Sequence, residues 1–145
     1  SMPQSYPNIP LYLLLNKRHF EQASELVISA FAIDLSFAHM YLSNLRKDVS
    51  LHLSYVMAEE GLLEFLTQSE IGTLYLSKTS TRKFPSQKEI LIHTPDATIT
   101  ILTTSNFTKK GLSDELSQHL YSDDYHDYST QKRRFILRSY KNGSK

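Results

Sequence analysis

A predicted β-hairpin at residues 90–102 constrains the fold more than any other feature of the chain. Two runs rich in β-branched residues flank a Pro-Asp pair, which is typical of two strands joined by a tight turn. With a two-residue loop, Ile92 faces Ile99 across the hairpin. Further along the same strands, Ile90 faces Ile101. We therefore expect this side of the hairpin to face the core.

The second hairpin strand runs directly into a polar turn at residues 103–106, with the sequence Thr-Thr-Ser-Asn. The turn offers hydroxyl groups, an amide and backbone N–H groups at a strand end, where proteins often bind a phosphate or another polar ligand. Ser105 and Asn106 are therefore candidate site residues. The alternative is that both residues only shape the turn and cap the segment that follows it.

The remaining segments indicate an α/β protein. Helical periodicity predicts helices, and alternation or short apolar runs predict strands. The predicted helices are 19–30, 38–47, 58–67 and 127–140, the predicted strands are 31–37, 49–56, 72–77 and 116–121, and 78–88 is a predicted loop. This order predicts a mixed sheet flanked by helices. We expect an extended lead-in at 1–18, one domain at 19–141 and a tail at 142–145.

Composition limits the classes of function. A chain of 145 residues can form one domain with a full core, and its formal net charge of +1 does not mark the whole protein as a binder of polyanions. Without cysteine, disulfides and thiolate metal sites are excluded. The six histidines lack metal-ligand spacing and there is no glycine-rich phosphate loop, so we expect neither metal nor cofactor.

The apolar runs also bear on location. No run approaches the roughly 20 residues of a membrane span. We also recognise no secretory signal, so no membrane contact is expected and an intracellular location, cytoplasmic or nuclear, is favoured.

Two motifs give the chain a resemblance to a known family. The step Met40-Tyr41-Leu42 lies in a predicted short helix, and residues 103–112 read Thr-Thr-Ser-Asn-Phe-Thr-Lys-Lys-Gly-Leu. With the order of elements, they make the chain resemble one half of the phospholipase D-like, or HKD, superfamily, especially its small nuclease and restriction-enzyme branch. The resemblance implies a phospholipase D-like half-domain. Because family enzymes build one site from two halves, it also implies a homodimer or pairing with another half, with the hairpin and its turn at or near the interface.

The chain departs from the family pattern at the catalytic motif. Family enzymes carry a His-x-Lys pair at the start of the first hairpin strand, where the histidine takes the phosphoryl group and the lysine holds its oxygens. The corresponding positions here are near Gln87 and Glu89, and no His-x-Lys occurs in the chain. Glutamine cannot form the phospho-enzyme, and glutamate repels a phosphate. His93 lies on the order of 15 Å further along the strand, too far to replace the nucleophile.

Local clusters of basic residues are the remaining candidates for contact with nucleic acid. Arg82 and Lys83 precede the hairpin, and Lys109 and Lys110 follow the turn, so the four cations could converge on one rim and contact phosphates. The alternative is an ordinary solvated surface. A second basic group on the last predicted helix reads more simply as its solvated face: Lys132, Arg133, Arg134, Arg138 and Lys141.

These observations favour a catalytically degenerate phospholipase D-like domain that acts as a nucleic-acid-binding or assembly module, as a homodimer. DNA and RNA are both open as partners. One alternative is a diverged phosphodiesterase or nuclease that uses residual Ser105 and Asn106. The other is a protein–protein scaffold without nucleic-acid binding.

Overall fold

A seven-stranded mixed sheet organises the protein, which is described by a computed structural model over residues 2–85 and 87–143. The strands are β1 (Gln4–Pro7), β2 (Glu25–Ile33), β3 (Ser50–Ala58), β4 (Thr73–Lys78), β5 (Lys88–His93), β6 (Thr98–Thr103) and β7 (Gln118–Ser122). The helices are α1 (Lys17–Gln22), α2 (Leu35–Tyr41), α3 (Leu62–Gln68), α4 (Lys109–Leu112) and α5 (Tyr125–Gly143). The expected α/β class with a mixed sheet is confirmed.

The strand order is β1-β7-β6-β5-β2-β3-β4. The neighbours β2, β3 and β4 run parallel, whereas β2–β5, β5–β6, β6–β7 and β7–β1 are antiparallel pairs. The larger core lies on the side of α1–α4 and contains Leu26 and Ile90 of the central strands. Side chains alternate between the two faces of a strand, so Val27 and Leu91 face the opposite side, where they pack against α5.

The hairpin has the predicted register. Ile92 pairs with Ile99, and Ile90 pairs with Ile101. The Thr94 hydroxyl fixes the turn, because its oxygen accepts hydrogen bonds from the backbone N–H groups of Asp96 and Ala97. Local turn chemistry and cross-strand packing therefore agree at this element.

The segment 19–37 differs from its prediction. Helix α1 ends at Gln22, and residues 25–30 of the predicted helix 19–30 belong to strand β2. The predicted strand 31–37 is likewise wrong beyond Ile33, since α2 starts at Leu35. The Asp34 side chain caps α2 by accepting a hydrogen bond from the Phe37 N–H group at 2.8 Å. Because β2 is central and buried on both faces, its continuous apolar run also fits a helical period.

The other predicted elements lie near their predicted places, with shifted ends. The lead-in 1–18 contributes β1, which pairs with β7, and Leu11, which is buried in the larger core. Helix α5 extends to Gly143 in the predicted tail, and residues 144–145 lie outside the described residues. Within the described part of the chain, none of the helices combines the length and hydrophobicity needed to cross a membrane.

Candidate functional site

The start of β5 and the end of β6 lie side by side, which brings the degenerate motif next to the polar turn. Lys88 pairs with Thr103 in the ladder. Gln87, directly before this pair, lines a shallow cavity of about 210 Å³ together with Thr103 and Thr104. Gln118 and His119 of β7 and Ser5 of β1 also line it. We call this depression the turn cavity; of the four candidate catalytic positions, Gln87 alone lines it.

Glu89 is buried against the last helix instead. Its side chain is 1% exposed, and its Oε2 atom accepts a hydrogen bond from Nη2 of Arg138 at 3.0 Å. Its Oε1 atom has no hydrogen-bond partner within the described residues. Burial raises the pKa of Glu89, and the positive charges of Arg138 and, more weakly, Arg134 oppose this rise. Glu89 is thus the acidic half of a buried ion pair.

Ser105 points into the protein. Its hydroxyl donates a hydrogen bond to the hydroxyl oxygen of Ser117, and its N–H group donates to Oγ1 of Thr103 at 2.9 Å. Ser105 is 2% exposed. These contacts fit the structural alternative for the turn, in which Ser105 fixes the conformation of residues 103–106.

His119 is engaged through both ring nitrogens. Nε2 lies 2.8 Å from the carbonyl oxygen of Ile9, and Nδ1 lies 2.8 Å from Oγ1 of Thr103. A carbonyl oxygen only accepts hydrogen bonds, so Nε2 carries the proton and Nδ1 accepts from the Thr103 hydroxyl. Buried His119 therefore links strand β6 to the N-terminal segment through both of its ring nitrogens.

Asn106 and Gly111 are in close backbone contact. A Cβ atom at Gly111 would lie 2.1 Å from the Asn106 carbonyl oxygen, so only glycine fits there without rearrangement. The Asn106 side-chain oxygen Oδ1 is buried and has no hydrogen-bond partner in the described part of the chain. The Gly-Leu step of the motif is therefore explained by packing of the turn against α4.

Sequence reasoning missed Lys88. Its ammonium donates a hydrogen bond to the carbonyl oxygen of Thr104 at 3.0 Å, and partial burial lowers its pKa. Lys88 thus places a cation at the turn, one residue away from the position inferred for the family lysine. The signal was present in the sequence, because Lys88 stands between the two positions, Gln87 and Glu89, near which the family motif was placed.

The four candidate nucleic-acid-binding residues lie on two different elements. Arg82 and Lys83 lie in a short 3-10 turn between β4 and β5, followed by Phe84, whose ring contacts that of Phe31. Lys109 and Lys110 begin α4. Lys109 lines an apolar groove with residues of α1 and α2. That the two pairs of cations converge on one rim stays a prediction.

Part of the second basic group serves to attach α5 to the sheet. Nζ of Lys132 lies 2.7 Å from Oε1 of Glu25, and Arg138 pairs with Glu89. Arg133 and Arg134 are exposed, as expected for a solvated helix face.

His93 lies at the far end of β5 from Glu89, between β5 and α5. Its ring is close to those of Tyr125 and Tyr128, with centroid distances of 5.9 and 5.5 Å. Across residues 2–85 and 87–143, no group of three His, Asp or Glu side chains is arranged to hold a metal ion.

Comparison with known proteins gives fold neighbours only. No family model and no curated protein sequence matches the chain. Among solved structures, NucT from Helicobacter pylori superimposes with a TM-score of 0.65 at 13% identity, covering 97% of each chain. Nuc from Salmonella typhimurium, described as a phospholipase D family member, gives 0.63 at 12% identity over 94% of this chain and 93% of its own.

A third neighbour is TrmBL2, described as an archaeal chromatin protein with a novel mode of DNA binding. It gives a TM-score of 0.55 at 11% identity and covers 94% of this chain but 52% of its own. The protein therefore has a phospholipase D-like fold. At these identities the similarity concerns the fold alone.

Proposed function

We propose that the protein is a catalytically degenerate phospholipase D-like domain that binds nucleic acid as a homodimer. The observation that supports this proposal most directly is the burial of Glu89 and its ion pair with Arg138. At the position inferred for the phosphate-holding lysine, the chain has a carboxylate that is buried in an ion pair with Arg138. A buried negative charge repels the phosphate that the lysine would hold. Among the described residues, His119 is the one histidine that lines the turn cavity, and both of its ring nitrogens are engaged within the protein.

Loss of catalysis leaves a fold that still presents cations on its surface. Lys88 lies at the turn, Arg82 and Lys83 lie in the 3-10 turn before β5, and Lys109 and Lys110 begin α4. Solvated cations of this kind contact phosphates and confer affinity without sequence preference. The DNA binding ascribed to TrmBL2, a chromatin protein with this fold, supports a binding role here.

The first experiment separates binding from cleavage. Fluorescein-labelled single-stranded and duplex DNA and RNA are titrated with the protein at several salt concentrations, and the same samples are later run on denaturing gels. We expect binding that weakens steeply with salt, because phosphate contacts release counterions, and we expect intact nucleic acid. Metal-independent cleavage that Ser105→Ala or Asn106→Ala abolishes would establish the diverged nuclease instead.

Charge reversal identifies the binding surface. The double variants Arg82→Glu/Lys83→Glu and Lys109→Glu/Lys110→Glu change the net charge by the same amount. Because the second is also expected to disrupt the homodimer described below, Asp114→Lys/Glu115→Lys, which is expected to be monomeric while it keeps all of these cations, is its control. If a surface contacts phosphates, reversing its charge should lower the protein's affinity for nucleic acid and make that affinity less dependent on salt. No binding by the wild-type protein to any of the four probes would favour the scaffold alternative.

The expected homodimer has a self-complementary surface next to the turn. An apolar groove of about 440 Å³ lies between α4 and the N-terminal helices; Tyr12 and Met40 line it, with Lys17 and Lys109 among its lining residues. We call it the basic groove. Exposed apolar area bordered by cations fits an apolar partner residue flanked by carboxylates.

The same chain carries such a residue directly after α4. Leu116 is 77% exposed and follows Asp114 and Glu115, both exposed. The loop is held in shape, because Oδ1 of Asp114 accepts a hydrogen bond from the Leu116 N–H group at 2.9 Å. Since groove and loop adjoin, a two-fold axis can place Leu116 of each copy in the basic groove of the other.

A charge-swap experiment tests this interface. We expect the wild-type protein to have the mass of a dimer in gel filtration with light scattering. We expect Lys109→Glu/Lys110→Glu and Asp114→Lys/Glu115→Lys to be monomeric separately and to form a heterodimer when mixed. A monomeric wild-type protein at high concentration would contradict the homodimer, and a dimer unaffected by either variant would place its interface elsewhere.

A further inference from the structure

A second cleft lies far from the turn, between the start of α5 and the end of β5. Its volume is about 400 Å³, within the range typical of small-ligand sites. Its lining includes Glu25, His93, Tyr125, Tyr128 and Arg133. We call it the aromatic cleft. None of these residues belongs to the degenerate motif or to the two pairs of cations already described.

The two tyrosine rings of the cleft are stacked, and the outer ring has an exposed face. Tyr128 is 2% exposed, and its hydroxyl donates a hydrogen bond to Oε1 of Glu25 at 2.5 Å. Tyr125 is 62% exposed, and its ring stacks on that of Tyr128 at a centroid distance of 6.0 Å and an angle of 30°. His93 contacts both rings. The buried tyrosine thus supports an exposed one, which can accept a further planar ring.

The charges of the cleft do not repel an anion. The carboxylate of Glu25 is matched by Lys132 at 2.7 Å, with Nε2 of His52 at 3.7 Å. Arg133 is exposed and lies eight residues after Tyr125, which is about 12 Å along the helix. The exposed Tyr125 ring and the exposed Arg133 side chain therefore both line the cleft along α5. Sites for single-stranded nucleic acid combine aromatic rings and cations in the same way.

We propose that the aromatic cleft binds an unpaired nucleobase of a single strand, stacked on Tyr125, with a neighbouring phosphate on Arg133. This inference rests on the proposed nucleic-acid-binding function and assigns part of that binding to a defined site. Bases inside a duplex are already stacked on both faces, so the cleft favours single strands and frayed ends over continuous duplex.

The test uses labelled (dT)12 and (rU)12 as probes, with a 12-base-pair duplex for comparison, in fluorescence anisotropy. Stacking on one ring predicts a loss of about tenfold for Tyr125→Ala. Tyr125→Phe keeps the ring and is expected to bind like the wild type. Tyr140→Ala is the matched control, because Tyr140 is a 78% exposed tyrosine on the same helix that does not line the cleft.

Salt dependence separates the two roles within the cleft. Tyr125→Ala should weaken binding without changing the slope of log K against log salt, whereas Arg133→Gln should reduce that slope by about 0.7. If the wild type binds a single strand and Tyr125→Ala binds it as well as Tyr140→Ala does, the cleft assignment is wrong and the proposed function stands. If the wild type binds neither single strand nor duplex, both are wrong. Circular dichroism establishes that each variant is folded.

Discussion

Replacing Arg138 by methionine isolates the Glu89 carboxylate and tests the reasoning on which the proposed function rests. At the observed separation of 3.0 Å, and with an effective dielectric constant of about 20, the attraction between the two charges is about 5.5 kcal/mol. The Arg138 side chain is 29% exposed, so water screens part of this attraction. The pair is nevertheless the nearest compensation for a carboxylate that is almost fully buried.

Protonation sets an upper limit on the cost of Arg138→Met. Once unpaired, Glu89 can take up a proton in the folded state. At pH 7 this costs about 3.4 kcal/mol for a glutamate whose pKa in the unfolded chain is 4.5, at 1.36 kcal/mol per pH unit. We therefore expect the variant to be about 3 kcal/mol less stable than the wild type at pH 7. The free energy of unfolding should be lowered by only about 1 kcal/mol at pH 5.

The sign of the pH dependence follows from the direction of the pKa shift. Burial already raises the pKa of Glu89, and loss of Arg138 raises it further above the unfolded value. The stability of the variant is therefore retained below the unfolded pKa and is lost as the pH rises through the folded pKa. Urea unfolding followed by circular dichroism at pH 5, 6 and 7 measures this slope.

Two variants make the test specific. Arg133→Met removes an exposed cation from the same helix and should change the free energy of unfolding by less than about 0.5 kcal/mol. Glu89→Met/Arg138→Met removes both charges and should recover most of the stability lost in Arg138→Met. A pH-independent loss in Arg138→Met, or a double variant as unstable as the single one, would show that Glu89 is not held by this ion pair.

Substitutions at three further positions test the turn and the aromatic cleft. Gly111→Ala should lower the free energy of unfolding by at least about 2 kcal/mol in urea titrations, because its Cβ would overlap the Asn106 carbonyl oxygen. Thr103→Val should lower the free energy of unfolding by about 2 kcal/mol, because it leaves the Ser105 N–H group and a His119 ring nitrogen without a hydrogen-bond partner. Thr103→Ser keeps the hydroxyl group and should lower it by less in the same titration. His52, Lys132 and Tyr128 lower the pKa of Glu25 to about 2, although burial opposes this shift. The ionised Glu25 side chain therefore stabilises the folded protein above pH 4.5, and this contribution is lost as the pH falls towards 2. Glu25→Gln should flatten that part of an acid-unfolding curve measured by circular dichroism.

The sequence predicted the elements whose structure is determined locally. The hairpin register followed from the isoleucine pairs and from turn-forming residues that are adjacent in the chain. Strand β2 was missed for a physical reason. A central strand buried on both faces has no polar side, so the pattern of its apolar residues does not distinguish it from a buried helix.

The site could be predicted only in part, because its decisive contacts join distant parts of the chain. Glu89 meets Arg138, which is 49 residues away, and His119 contacts the Ile9 carbonyl, which is 110 residues away. Residue types identified the missing His-x-Lys motif. They did not indicate that Ser105 would be turned inwards, since that orientation depends on Ser117 in the loop before β7.

In the proposed register, with Gln87 and Glu89 at the family positions, the ion pair makes two substitutions insufficient to restore a His-x-Lys pair. Glu89→Lys would place a second cation beside Arg138 and near Arg134, in a site from which water is largely excluded. A buried lysine in that position would repel both guanidinium groups and would tend to lose its proton, and with it the charge that holds a phosphate. Restoring the lysine therefore also requires a change in α5. In that register, the charge at the position inferred for phosphate binding attaches the C-terminal helix to the sheet through Arg138.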